Sequence, residues 1–274
     1  MKVKIFAAIT LAMTLLFTGC GGDQGGNAPS KPAEEVTLRV GATPVPHAEL
    51  LEEIKPELQA QGINLEIIEF NDYVQPNIAL NDKELDANFF QHEPYLNDFV
   101  KEHTEVKLVN AGGVHVEPMG IYSKKIKALD ELADGATVSI PNDPTNGGRA
   151  LLLLQKAGLL KLKDGASETA TVQDIAENPK NLVIQEVEAA QLPRTLEDVD
   201  ISIINTNFAM NADLNPVNDA LFIEDKTSPY VNIIAVRAGD ENRDEIKKLL
   251  TALTSDKIKN FIMEKYKGAI VPAF

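Results

Sequence analysis

The sequence predicts an α/β fold built on two sheets. Three observations predict it. Strand-like and helix-like segments alternate along the chain after residue 36, the pattern of mainly parallel sheets. About 240 residues follow the N-terminal region, enough for one large or two modest domains. Residues 106–123 and 230–239 read as long extended crossings, one leaving a first lobe and the other returning to it.

The elements follow in order. Lys2 and Lys4 precede the 14-residue run IFAAITLAMTLLFT at 5–18, the size of a signal-peptide core and too short to span a bilayer. Residues 1–19 therefore read as a cleavable signal. Cys20, the single cysteine, follows at once in LLFTGC, so no internal disulfide exists. Its place predicts a lipobox, with Cys20 as the lipidated first residue of the mature chain. Residues 20–35 then form a tether rich in Gly, Pro and Ser. Loss of the signal brings the net charge from −15 to −17. Such a field keeps a protein soluble and repels nucleic acid and anionic lipid.

Residues 36–43 read as a strand, and 47–62 as an amphipathic helix ending at Gly62. A strand at 63–70 leads through a turn and helix into a short strand at 85–90. Pro94 suits the first turn of a helix at 93–103. After the extended 106–123 stretch come a short helix at 128–135 and a strand in ATVSIP. GRALLLLQKAG reads as a helix, 181–188 as a strand, and AAQLPRTLED as a short helix. DISIINTNFAM is a strand running into a helix, 230–239 a returning strand, and the tail one or two helices.

Ligands of open α/β sheets sit beyond the carboxyl ends of the strands. Those ends offer Tyr73; then Phe89, Phe90, His92 and Tyr95; then Arg149; then Asn205 and Asn207. Only 15 aromatics occur in the chain, and four of them lie in residues 89–99. Adjacent Phe89 and Phe90 would face opposite ways on a strand, one to the core and one to a ligand. His92 reads equally as a ligand contact or as a helix-capping or surface histidine. Arg149 follows Gly147 and Gly148 in IPNDPTNGGRALL, which lacks the G-K-[ST] ending of a phosphate loop. In a helix's first turn a cation is disfavoured by the dipole, so Arg149 needs an anionic partner, either Asp143 or a bound ligand. A planar guanidinium suits a carboxylate. Aromatic walls, a few amides and one carboxylate clamp suit a small zwitterion with an apolar side chain.

Catalytic patterns do not emerge. The body of the chain has no cysteine, no G-x-S-x-G elbow and no H-E-x-x-H. His47, His92, His103 and His115 show no close ligand spacing, so neither metal nor cofactor is expected.

Several long segments, in order, carry a family resemblance: VGATPVPHAELLE, LDANFFQHEPYL, GVHVEPMGIYSKKIKALDEL, IPNDPTNGGRALLLLQKAGLLKLKDG, ENPKNLVIQEVEAAQLPR, INTNFA and EDKTSPYVNIIAVR. Together they resemble methionine-binding lipoproteins of the NlpA type, solute-binding components of a bacterial ABC importer. The resemblance implies a two-lobe periplasmic-binding-protein fold, type II-like, with a ligand cleft between the lobes. Lobe 1 would comprise 36–120 plus 230–274, and lobe 2 residues 121–229. It implies L-methionine as ligand, held by Tyr73, Phe90, His92, Tyr95, Arg149, Asn205 and Asn232, with Arg149 on the carboxylate. It implies no enzymatic activity, an importer permease and ATPase complex as partner, and a lipid-anchored place on the extracytoplasmic side of the bacterial cell membrane. Another apolar amino acid, D-methionine or a methionine-containing dipeptide stays open as ligand. An enzyme acting on an amino-acid derivative is the alternative of another class.

Overall fold

A computed structural model of the chain describes residues 35–225 and 228–274. The expected signal at 1–19, Cys20 and the tether through residue 34 lie outside the described residues. Two large sheets form, each with an apolar cluster on either face, and the chain passes between them twice.

The first sheet takes β1 (Val36–Ala42), β2 (Ile63–Glu69), β3 (Ala87–His92), β4 (Leu108–Val116), and later β12 (Val231–Arg237) and β13 (Val271–Pro272). Their spatial order is β13-β4-β12-β3-β1-β2. Side chains alternate across it as strand geometry requires. Phe89 and Ile234 join the core with α1 (Glu49–Ala60), α7 (Asp244–Leu253) and α8 (Asp256–Tyr266), where Leu51, Ile54, Leu249 and Ile262 are fully or almost fully buried. Phe90 and Ile233 point the other way, to α2 (Gln75–Asn81) and α3 (Glu93–Glu102). Helices thus cover both faces.

The second sheet is built from β5 (Gly120–Tyr122), β6 (Thr137–Pro141), β9 (Val183–Val187), β10 (Ile201–Ile204) and β11 (Phe222–Ile223), in the order β11-β5-β10-β6-β9. A separate pair, β7 (Lys161–Leu162) and β8 (Ile175–Glu177), lies between β6 and β9 in sequence. Helix α4 (Pro144–Lys156) packs Leu151, Leu153 and Leu154 on one core, while α5 (Leu192–Thr195) and α6 (Thr206–Asn211) cover another with Leu192 and Phe208.

The sheets are mixed rather than mainly parallel. β1 runs parallel to β2 and β3, and β6 parallel to β9 and β10. β4, β5, β11, β12 and β13 pair antiparallel. A chain that leaves one sheet and later returns must bring β4 and β12 in with opposite directions, and those two lie side by side. The first crossing is 117–119, and the second lies between the end of β11 and the start of β12.

Helix α4 opens earlier than the sequence suggests. Asp143 caps it, its carboxylate accepting from the Asn146 backbone N–H at 2.9 Å, and Pro144 takes the first position. Gly147 and Gly148 therefore lie inside the helix. A Cβ on Gly148 would stand 2.2 Å from the Glu168 carbonyl oxygen, and one on Gly147 2.9 Å from that of Pro141. The glycines serve close backbone packing, not an anion cradle.

Candidate functional site

The first lobe supplies an aromatic wall. Tyr73 lies in the loop before α2, Phe90 and His92 on the last half of β3, and Tyr95 in the first turn of α3. Tyr73 lies 5.7 Å from Phe90 and 5.8 Å from Tyr95, ring centre to ring centre. Beneath them Asn77, Asn88 and Gln91 form a buried hydrogen-bonded net that ties α2 to β3. His92 is at once cap and wall. Its Nδ1 accepts from the Tyr95 backbone N–H at 3.2 Å, and its Nε2 donates to Asn146 Oδ1 at 3.0 Å. Burial, aided by the Arg149 charge, pushes its pKa down to about 3. The ring is therefore neutral at pH 7, with the one N–H that these two bonds require.

The second lobe supplies Arg149 from α4 and Asn205, Thr206 and Asn207 from the start of α6. Arg149 stands at the sixth position of α4, not in the first turn. Its anionic protein partner is Glu224, 75 residues away, rather than Asp143, which is occupied in capping. Arg149 Nε donates to Glu224 Oε1 at 3.1 Å, and Nη2 donates to Glu224 Oε2 and, at 2.7 Å, to the Glu117 carbonyl. The guanidinium also lies over the Tyr230 ring, 4.2 Å from its centre. Nη1 has no hydrogen-bond partner among the described residues.

A relay of amides fixes which end of each faces inward. Asn146 Nδ2 donates to both Asp143 carboxylate oxygens at 3.0 Å, so Oδ1 is its free end. That oxygen accepts from His92 and, at 2.8 Å, from Asn205 Nδ2. Asn205 Oδ1 is left buried and without a partner among the described residues.

A second buried cluster reaches the cavity through Glu117 and extends behind it. His115 Nε2 donates to Glu117 Oε1 at 2.8 Å, His47 Nε2 approaches the same oxygen at 3.2 Å, and the Asn207 backbone N–H donates to Oε2 at 3.0 Å. Burial lowers the pKa of His47 to about 4 and of His115 to about 3, and raises that of Glu117. The three donor atoms converge as a metal site would require. Each Nε2 faces Glu117 Oε1, so with neutral, Nε2-protonated rings the cluster closes on itself by hydrogen bonds.

Tyr73, Phe90, His92, Tyr95, Arg149, Asn205 and Asn232 all line one cavity between the sheets, with about 320 Å³ of space not filled by atoms. Asn232 enters it from the first residues of β12, beside the second crossing. Phe89, the other strand-end candidate, belongs to the first core.

The NlpA lipoprotein family model matches residues 38–274. The chain belongs to the NlpA lipoprotein family. The D-methionine-binding lipoprotein MetQ of Salmonella typhi is 46% identical over 98% of both chains. The methionine-binding lipoprotein MetQ of Bacillus subtilis is 44% identical over 99% of both. A nutrient binding protein from Burkholderia cenocepacia, solved bound to methionine, is 50% identical, with a TM-score of 0.83 covering 86% of this chain and all of that one. The family is one of substrate-binding proteins, not of enzymes.

In this NlpA chain the cavity also exposes Gln91, Glu117, Asn146, Thr206 and Asn207, of which strand-end reasoning had singled out only Asn207. Asn146 carried a signal, standing third in a helix whose Asp-Pro start is legible. Glu117 and Glu224 carried none. Glu224's partner Arg149 lies 75 residues off, and Glu117, though two residues from its partner His115, looks locally like other acidic residues.

Proposed function

We propose that this protein captures methionine outside the cytoplasm and delivers it to an ABC importer. Similarity to MetQ proteins and to a methionine-bound nutrient binding protein supports the reading. The observation that carries it is the polarity of the cavity. Asn205 Oδ1 is an unpartnered acceptor suited to an ammonium group. Arg149 Nη1 and Asn232 Nδ2 are donors suited to a carboxylate. The rings of Tyr73 and Phe90 offer a polarisable thioether an apolar wall. Glu224 already neutralises Arg149, so a zwitterion of zero net charge fits better than an acidic ligand.

On this reading, 36–120 with 230–274 moves against 121–229 about the two crossings. A ligand touching both lobes favours the closed form, which the importer's permease and ATPase complex then recognises. Cys20 carries the lipid that holds the mature protein at the extracytoplasmic face of the bacterial cell membrane. No helix among the described residues is long and apolar enough to cross a membrane.

Calorimetry on ligand-stripped protein tests the proposal, with L-methionine, D-methionine, methionine amide, a methionine-containing dipeptide, glutamate and lysine as titrants. L-methionine is expected to bind most tightly and the amide poorly. Tighter binding of glutamate or lysine would overturn it. D-methionine or the dipeptide binding ahead of L-methionine would move the assignment within the same chemistry.

A further inference from the structure

His47 does not line the cavity and is wholly buried, yet it touches a residue that does. Its Nδ1 lies 2.7 Å from the Thr43 hydroxyl, and its Nε2 lies 3.0 Å from Asn232 Oδ1. Glu117 Oε1 stands 3.2 Å from the same nitrogen. With the Asn232 oxygen and an ionised Glu117 carboxylate facing Nε2, the ring carries its proton there. A neutral imidazole then leaves Nδ1 as a lone pair, which the Thr43 O–H fills. The ring is neutral at pH 7, because burial outweighs the attraction of Glu117.

The consequence reaches Asn232. An asparagine amide has one accepting and one donating end, and His47 claims the accepting end. Asn232 Nδ2 is thereby turned away from the cluster and has no protein partner among the described residues. We propose that His47 is a positioning residue of the binding site, holding the Asn232 amide so that its N–H₂ group, not its oxygen, meets the ligand's carboxylate. Without the His47 bond the amide would be free to rotate by half a turn and present an oxygen to an anion. Thr43 and Glu117 serve the same end by fixing the tautomer and the ring.

The inference rests on the carboxylate reading of the site, and its test separates the two. The first arm needs no ligand. In isotope-labelled, ligand-free protein, the Asn232 side-chain amide signals are recorded for wild type, His47→Ala and His47→Gln. Glutamine places an N–H donor near the position of Nε2. The signals are expected to shift toward those of an unbonded amide in His47→Ala and to return in His47→Gln. Signals unchanged in His47→Ala would overturn the proposal.

The second arm measures methionine affinity in His47→Ala, Asn232→Ala and the double variant. His47→Ala is expected to weaken binding by about tenfold. On the Asn232→Ala background the same change is expected to do almost nothing, because its effect passes through that amide. A His47 effect of full size in both backgrounds would mark a general structural role and overturn the proposal. If wild type fails to bind methionine while the amide signals still respond to His47, the positioning stands and the ligand assignment falls.

Discussion

The Tyr73 hydroxyl donates to Asn207 Oδ1 at 2.6 Å, joining two residues 134 apart in sequence and on opposite sides of the cavity. Tyr73 stays protonated because burial, above all, raises its pKa. Its ring also packs on Phe90 and Phe208. Tyr73→Phe keeps that packing and deletes only the bond across the cleft. It should weaken methionine binding by about 1–2 kcal/mol, roughly five- to thirty-fold in Kd. Calorimetry reads this directly, and an unchanged Kd would mean that the bond contributes nothing to the bound form.

Arg149→Ala removes the cation that faces both Glu224 and the cavity. Breaking a buried charge pair on one side costs about 2–5 kcal/mol, so binding should weaken by roughly thirty-fold or more. Normal methionine affinity in a folded Arg149→Ala protein would show that the guanidinium serves Glu224 alone.

Glu224→Gln tests the neutralisation from the other side. The amide oxygen still accepts from Arg149, but the negative charge is gone. Glutamate should then gain on methionine by roughly tenfold, since a like charge no longer opposes it. Paired titrations of the two amino acids report the ratio. An unaltered ratio would remove Glu224 from the account of selectivity.

Acid should destabilise the protein through its buried histidines. His47, His92 and His115 take up a proton near pH 6.5 when unfolded but only near 3 or 4 when folded. Between those values the unfolded chain holds more protons, so stability rises with pH and is lost as pH falls. Glu117 and Asp143 act in the opposite sense, because burial raises both and lets the folded form hold a proton above their ordinary values. His115→Gln keeps an N–H donor to Glu117 and isolates one imidazole. Urea unfolding from pH 6.5 toward 3 should show a slope shallower than wild type by about 1.4 kcal/mol per pH unit. Parallel curves would mean that His115 titrates alike in both states.

Cys20→Ala should release the protein from membranes. A single acyl chain anchors only marginally, so firm attachment implies more than one chain on the cysteine. Fractionation of cells expressing the variant is the measurement. Retention equal to wild type would place the anchor elsewhere.

How much of this was legible depended on sequence distance. Phe90, His92 and Tyr95 lie within six residues at one strand end, and a general rule about strand ends finds them. Asp143 and Pro144 announce the start of α4, yet the proline and glycines that follow look like a loop, which displaced Arg149 into a first turn it does not occupy. The antiparallel pairing of β4 with β12 has no local signature, since each strand alone reads as extended chain. His47, His115 and Glu117 meet only because β4 passes beside the segment after β1. Spacing of two sets His115 and Glu117 on one side of extended chain, but no spacing brings His47 to them. The resemblance supplied Asn232, which strand-end reasoning could not, because Asn232 opens its strand instead of ending it.

The two glycines of α4 set how the cavity's walls share deformation. A helix seated on the backbone oxygens of Pro141 and Glu168, with no side chain between, has almost no travel before atoms collide. Asn146 and Arg149 ride on that helix, so the wall on which the proposed carboxylate clamp stands is mechanically stiff. The opposite wall is made of rings on a loop, a strand end and a helix start, with Tyr73 in the loop. Any compliance toward a longer or branched side chain must come from that side. Tolerance is therefore asymmetric: the cavity can forgive changes at the tail of its guest but not at the head.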